Sequence, residues 1–178
     1  MHEPNTPEEI LEDHKILRSD PQRYLQMIND RIAANPNSPH GYFSRHQAWM
    51  RLDQPTSALA DLDRSIALDP KPTAFWSRAN VNRHVGEYEK AIEDYSRREA
   101  IDPEQWSRDA FPLIYQADTY ARLGDEPMAL AYCARLPDDF WTPGHHDLPP
   151  GGKIEIADEL RRRAAAARQA RMSGSPPV

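Results

Sequence analysis

The chain has 178 residues, 39% of them apolar and 28% charged, and its mean hydropathy of −0.83 implies a high ratio of surface to core, as in a thin repeat array. A net charge of −6 argues against a dedicated binder of nucleic acid or anionic membrane, because both need a positive field. Cys133 is the one cysteine, which excludes an internal disulfide or multi-cysteine metal centre and fits a reducing compartment.

The run from Met1 to Glu9 has neither the basic start nor the apolar core of a secretion signal. No later stretch stays apolar long enough to span a bilayer, so a cytoplasmic location is expected. Residues 1–38 read as N-terminal helices forming a degenerate first copy of the repeat that follows. Their second helix, Arg23 to Ala34 and then Asn35-Pro36, precedes Leu68-Asp69-Pro70 by 34 residues, with Tyr24 where later copies place alanine.

The next two segments superimpose without a gap. Residues 39–71 carry Tyr42-Phe43-Ser44-Arg45, Ala58-Leu59-Ala60-Asp61-Leu62 and a closing Asp69-Pro70. Residues 72–104 carry Phe75-Trp76-Ser77-Arg78, Ala91-Ile92-Glu93-Asp94-Tyr95 and Asp102-Pro103, every matched pair standing 33 residues apart. Residues 105–137 form a third copy with Tyr120, Gly124 and Ala129-Leu130-Ala131-Tyr132-Cys133, lengthened by a loop insertion around Trp106. Each copy holds two amphipathic helical stretches broken at Asp53, Gly86 or Gly124. Ala58, Ala91 and Ala129 allow close helix approach, Leu62, Tyr95 and Cys133 fill the space between units, and Pro70 and Pro103 end the second helices.

Residues 138–152 form a proline- and glycine-rich loop, long for a connector, which Phe140 and Trp141 are expected to pin down. A last helix over 153–172 places Ile154, Ala157, Leu160 and Ala164 on one face and is expected to cap the array. Residues 173–178 read as a flexible tail.

The spacing near 34, the early aromatic, the Gly-acidic turn, the alanine opening the second helix and the terminal Asp-Pro resemble tetratricopeptide repeats. Departures are His46 for a small residue, Asp53 for the turn glycine and Asn82 for an aromatic. The resemblance implies an all-α fold, a right-handed α-solenoid of stacked helix-turn-helix repeats with a C-terminal capping helix. It further implies that the first helices line a concave groove that binds a partner's peptide or helix.

Counted along the first helices, the expected partner-binding residues are Phe43, Gln47, Met50 and Arg51; Trp76, Asn80, Arg83 and His84; and Ile114, Asp118 and Arg122. Arg51, His84 and Arg122 hold equivalent positions and would form a basic column suited to an acidic peptide. Arg45 and Arg78 are assigned instead to pairs with Asp61 and Asp94 of the second helices. Asn80 is the one counterpart of a carboxylate-gripping set known in some members of the family, so a chaperone-tail ligand is not expected.

The expected function is a non-enzymatic interaction scaffold without cofactor, bound nucleic acid or membrane. One alternative is a structural protein that self-associates into a homo-oligomer through its groove or terminal helix. A further alternative is a metal-dependent enzyme using His145-His146-Asp147, a cluster without an obvious further ligand. Cys133 is assigned to the core, and the run Arg161-Arg162-Arg163 to a solvated face with local ion pairs.

Overall fold

The structure, a computed structural model, describes residues 6–104, 110–144 and 148–174. Trp106 and the cluster His145-His146-Asp147, singled out in the sequence, lie outside the described residues, as do residues 175–178 of the tail. Two compact units are present, Met1–Val85 and Gly86–Val178.

The first unit contains α1 (Pro7–Ser19), α2 (Pro21–Ala34), α3 (Pro39–Arg51), α4 (Pro55–Leu68) and α5 (Pro72–His84). Each opens on a proline in its first turn, where the missing N–H would have no intrahelical partner and the fixed φ suits a helix. Thr6 and Glu9 form a reciprocal capping box at α1, and the Asp20 carboxylate accepts from the Arg23 N–H at 2.9 Å to start α2. Consecutive helices pack on one another from α1 through α5. A Cβ at Gly41 would come within 2.8 Å of Ile32 Cγ1, so glycine is what permits the approach of α3 to α2.

Two apolar clusters hold this unit. Leu17, Tyr24, Ile28, Ile32 and Ala48 form one, and Ala58, Leu62 and Val81 the other, with Phe43, Trp49 and Met50 packed against the second. Tyr24, at the position expected for alanine, is buried and shares a hydrogen bond with Ser44. The assigned pair of Arg45 and Asp61 is present, and Arg78 pairs with Asp63 of α4 at 2.6 Å. The turn residues Asp53, Gly86 and Gly124 all adopt left-handed backbone, with φ of 55°, 83° and 76°.

The second unit contains α6 (Tyr88–Ile101), α7 (Ala110–Arg122), α8 (Glu126–Ala134), a two-stranded ribbon of β1 (Trp141–Thr142) and β2 (Gly151–Gly152), and α9 (Lys153–Ser173). Ala91, Tyr95, Ala129 and Cys133 are all buried. Helix α9 packs on both α7 and α8. Its buried stripe is Ile156, Leu160 and Ala164. Ile154, expected on that face, is 74% exposed, because two residues turn a helix by about 200°.

The loop is held differently from expectation as well. Pairing of β1 with β2 directs alternate side chains to opposite faces, leaving Trp141 64% exposed while Thr142 and, later, Leu148 are buried. Among the described residues no helix is long and apolar enough to cross a membrane.

Candidate functional site

Helix α3 has its faces assigned by burial and pairing. Gly41, Ser44 and Ala48 point inward, and Arg45 and Trp49 both hydrogen-bond the Asp61 carboxylate on α4. What remains outward is a stripe at steps of three or four residues: His40, Phe43, Gln47, and then Met50 with Arg51. That stripe borders two clefts of the first unit.

Toward α1, a cleft of ≈ 370 Å³ is lined by His14, Leu17, Arg18, His46, Gln47, Met50 and Arg51. Leu17 and Met50 supply an aliphatic wall. Arg18 and Arg51 are exposed, and no carboxylate pairs with either among the described residues. His46 is buried, and burial pushes its pKa down to about 4, from an ordinary 6.5. Its Nδ1–H donates to the Phe43 carbonyl, so the neutral ring keeps Nε2 as an acceptor.

Toward α5, a cleft of ≈ 270 Å³ is lined by Pro39, His40, Phe43, Ser65, Asp69, Lys71, Thr73 and Ala74. Its one anion and one ammonium pair with each other at 3.1 Å, leaving a largely apolar seat over Phe43. Ser65 closes its floor by donating to the Pro39 carbonyl at 3.0 Å.

The structure brings Gln47, Met50 and Arg51 into one cleft and places Phe43 in the adjoining one. On α5, Trp76, Asn80 and Arg83 are half-buried and His84 is exposed. Two expectations for α7 are corrected. Ile114 and Asp118 are 4% and 0% exposed, so neither offers a surface to a ligand. Arg122 is not an available cation: its Nε donates to Asp118 at 2.9 Å, and Arg163 of α9 holds the other Asp118 oxygen at 2.6 Å. Burial works against the Arg122 charge, and the Asp118 carboxylate together with Tyr88 outweighs it, so its pKa is raised. The physical reason is α9, whose packing on α7 turns a first-helix face into interior.

His14, Leu17 and Arg18 were not among the expected site residues, yet they complete the α1/α3 cleft. A signal for them exists in the sequence, because Ile10, His14, Leu17 and Arg18 precede Phe43, Gln47, Met50 and Arg51 by 33 residues each. Among the described residues no group of three or more histidine, cysteine, aspartate or glutamate side chains is placed to hold a metal ion. Cys133 is buried, its Sγ lies 3.7 Å from the Lys153 carbonyl, and burial pushes its pKa up, consistent with a core residue.

No family model matches the chain. It is 30% identical over 80 residues to Small glutamine-rich tetratricopeptide repeat-containing protein 2 of Mycosarcoma maydis, covering 44% of this chain and 23% of that protein. It is likewise 30% identical over 86 residues to Hsp70-Hsp90 organizing protein 3 of Arabidopsis thaliana, covering 46% of this chain and 15% of that protein. The chain therefore spans less than a quarter of the length of either relative.

Among solved structures, MamA aligns with a TM-score of 0.63 at 14% identity, covering 90% of this chain and 96% of that one. A thermophilic TPR protein of Thermus thermophilus, TTC0263, aligns with a TM-score of 0.53 at 18% identity, covering 90% of this chain and 89% of that one. Stacked helix pairs with left-handed turns between them define an all-α solenoid fold, the fold these structures share. In its repeats, and over the stretches it shares with these relatives, the chain is similar to tetratricopeptide repeat proteins.

Proposed function

We propose that the chain is a protein-interaction scaffold that holds a partner's peptide or helix against the outward stripe of α3. The observation that carries this reading is the pair of clefts flanking that stripe, built from side chains that the packing of α3 on α2 and α4 leaves facing outward. Concave seats with an aliphatic wall and a few charged groups are what a docked segment needs, since buried apolar anchors supply most of the affinity and charges set register. The Hsp70-Hsp90 organizing protein among the relatives supports the same class of role.

A photo-crosslinking amino acid at Gln47, with a control at Lys90 on α6, tests the docking reading. Partner adducts at Gln47 that are absent at the control are expected. Equal yields at both positions would remove α3 as the docking helix.

A second reading is self-association through the start of α9, favoured by the exposure of Trp141 (64%) and Ile154 (74%). Sedimentation of the wild type beside Ile154→Asp separates the two: a dimer lost in the variant supports self-association, and a monomer at all concentrations removes it.

A further inference from the structure

We propose that the α3 stripe seats an extended partner segment carrying one aliphatic and one acidic side chain, the aliphatic group over Phe43 in the α3/α5 cleft and the carboxylate at Arg18 and Arg51 in the α1/α3 cleft. The inference rests on the docking reading above and adds the chemistry and spacing of the ligand.

The two clefts differ in character, and the difference selects the occupant. In the α3/α5 cleft Asp69 and Lys71 neutralise one another, so an aliphatic side chain enters without leaving a charge unpaired. In the α1/α3 cleft the charged side chains Arg18 and Arg51 are of one sign, and neither has a partner among the described residues. Elsewhere arginines are extensively committed: Arg31 to Asp13, Arg45 to Asp61, Arg78 to Asp63, Arg135 to Glu99 and Arg168 to Glu126. Two guanidiniums beside a Leu17–Met50 wall suit an anion that arrives on an apolar-flanked backbone, and charge-assisted forks to carboxylate are the strongest pairs they can make. A polyanion such as nucleic acid is disfavoured by the net charge of −6 over the whole chain.

The geometry of α3 supplies the spacing. Phe43 and Arg51 lie on one helix, so the rise between them is about 12 Å at ~1.5 Å per residue. An extended chain covers that in about four residues at ~3.3 Å each. The ligand therefore places its aliphatic and acidic side chains about four positions apart.

Amide NMR titration of the full chain tests this with capped peptides in which leucine and glutamate are separated by three serines, in either order. Shifts at Phe43, Gln47, Arg18 and Arg51 are expected with at least one order. Exchanging glutamate for glutamine, or shortening the spacer to one serine, is expected to weaken binding by about tenfold, and so is Arg18→Glu with Arg51→Glu. A lysine peptide is expected to recover binding to that double variant, whose substituted side chains are exposed. Equal binding of the glutamine peptide overturns the carboxylate assignment and leaves the docking reading standing. Failure of every peptide, or shifts confined to other residues, overturns the two-part seat, while crosslinking at Gln47 reports independently on docking. An oligonucleotide that produces the shifts the peptides do not would overturn it too.

Discussion

Arg45 and Asp61 tie the two helices of one repeat by a bidentate pair, Nε to Oδ2 at 2.7 Å and Nη2 to Oδ1 at 2.6 Å. The Trp49 indole N–H donates to the same carboxylate at 2.9 Å, and Arg45 Nη1 reaches Asn29 of α2 at 2.9 Å. One carboxylate thus orients α3 on α4, and through Arg45 fixes α2 beside them. Asp61→Ala leaves a largely buried guanidinium with Asn29 but no carboxylate, and an indole without its acceptor, and a loss of about 3–5 kcal/mol is expected from urea denaturation at neutral pH. A loss below about 1 kcal/mol would show that the pair is replaceable by water.

Asp53 sits at φ 55°, in the turn position that Gly86 and Gly124 hold in the later repeats. A side chain there opposes the left-handed conformation, although aspartate tolerates it better than most. Asp53→Gly is expected to stabilise the first unit by about 0.5–1 kcal/mol, and Asp53→Val to destabilise it. Thermal unfolding of both variants checks the order.

His46 gives the first unit a pH dependence of definite sign. Its folded pKa is depressed to about 4 by burial, against an ordinary 6.5, so the unfolded chain takes up the proton first as pH falls. Stability is full above the unfolded value and declines as pH drops from about 6.5 toward about 4, by up to roughly 3 kcal/mol. Urea midpoints at pH 7 and pH 5 should differ less for His46→Ala than for the wild type. An unchanged difference would assign the dependence to other groups.

Asp118 holds Arg122 within α7 and Arg163 of α9 at once, with its side chain 0% exposed. Asp118→Ala takes the carboxylate from the largely buried Arg122 guanidinium and leaves Arg163 with Glu159 at 2.8 Å, and a destabilisation of about 3–5 kcal/mol is expected. Hydrogen exchange should show lost protection concentrated in α7 and α9. Uniform protection along α9 in the variant would mean that Ile156, Leu160 and Ala164 alone hold the helix.

The sequence by itself determined the helix pairs, their 33-residue offset up to the insertion before α7, the turns at Asp53, Gly86 and Gly124, and the small residues Ala58, Ala91 and Ala129 where helices meet. These depend on backbone preference and on residues close in the chain, so a periodic pattern carries them. Which outward side chains remain available was decided by tertiary structure. Arg18 and Arg51 are far apart in sequence and share a cleft because α1 and α3 border it. Arg122 carries a similar charge on an equivalent helix, yet Asp118 claims it, and packing of α9 on α7 buries that carboxylate with Arg163 against it. Periodicity repeats a residue's position along the helix, whereas burial and ion pairing depend on what the rest of the chain lays across it.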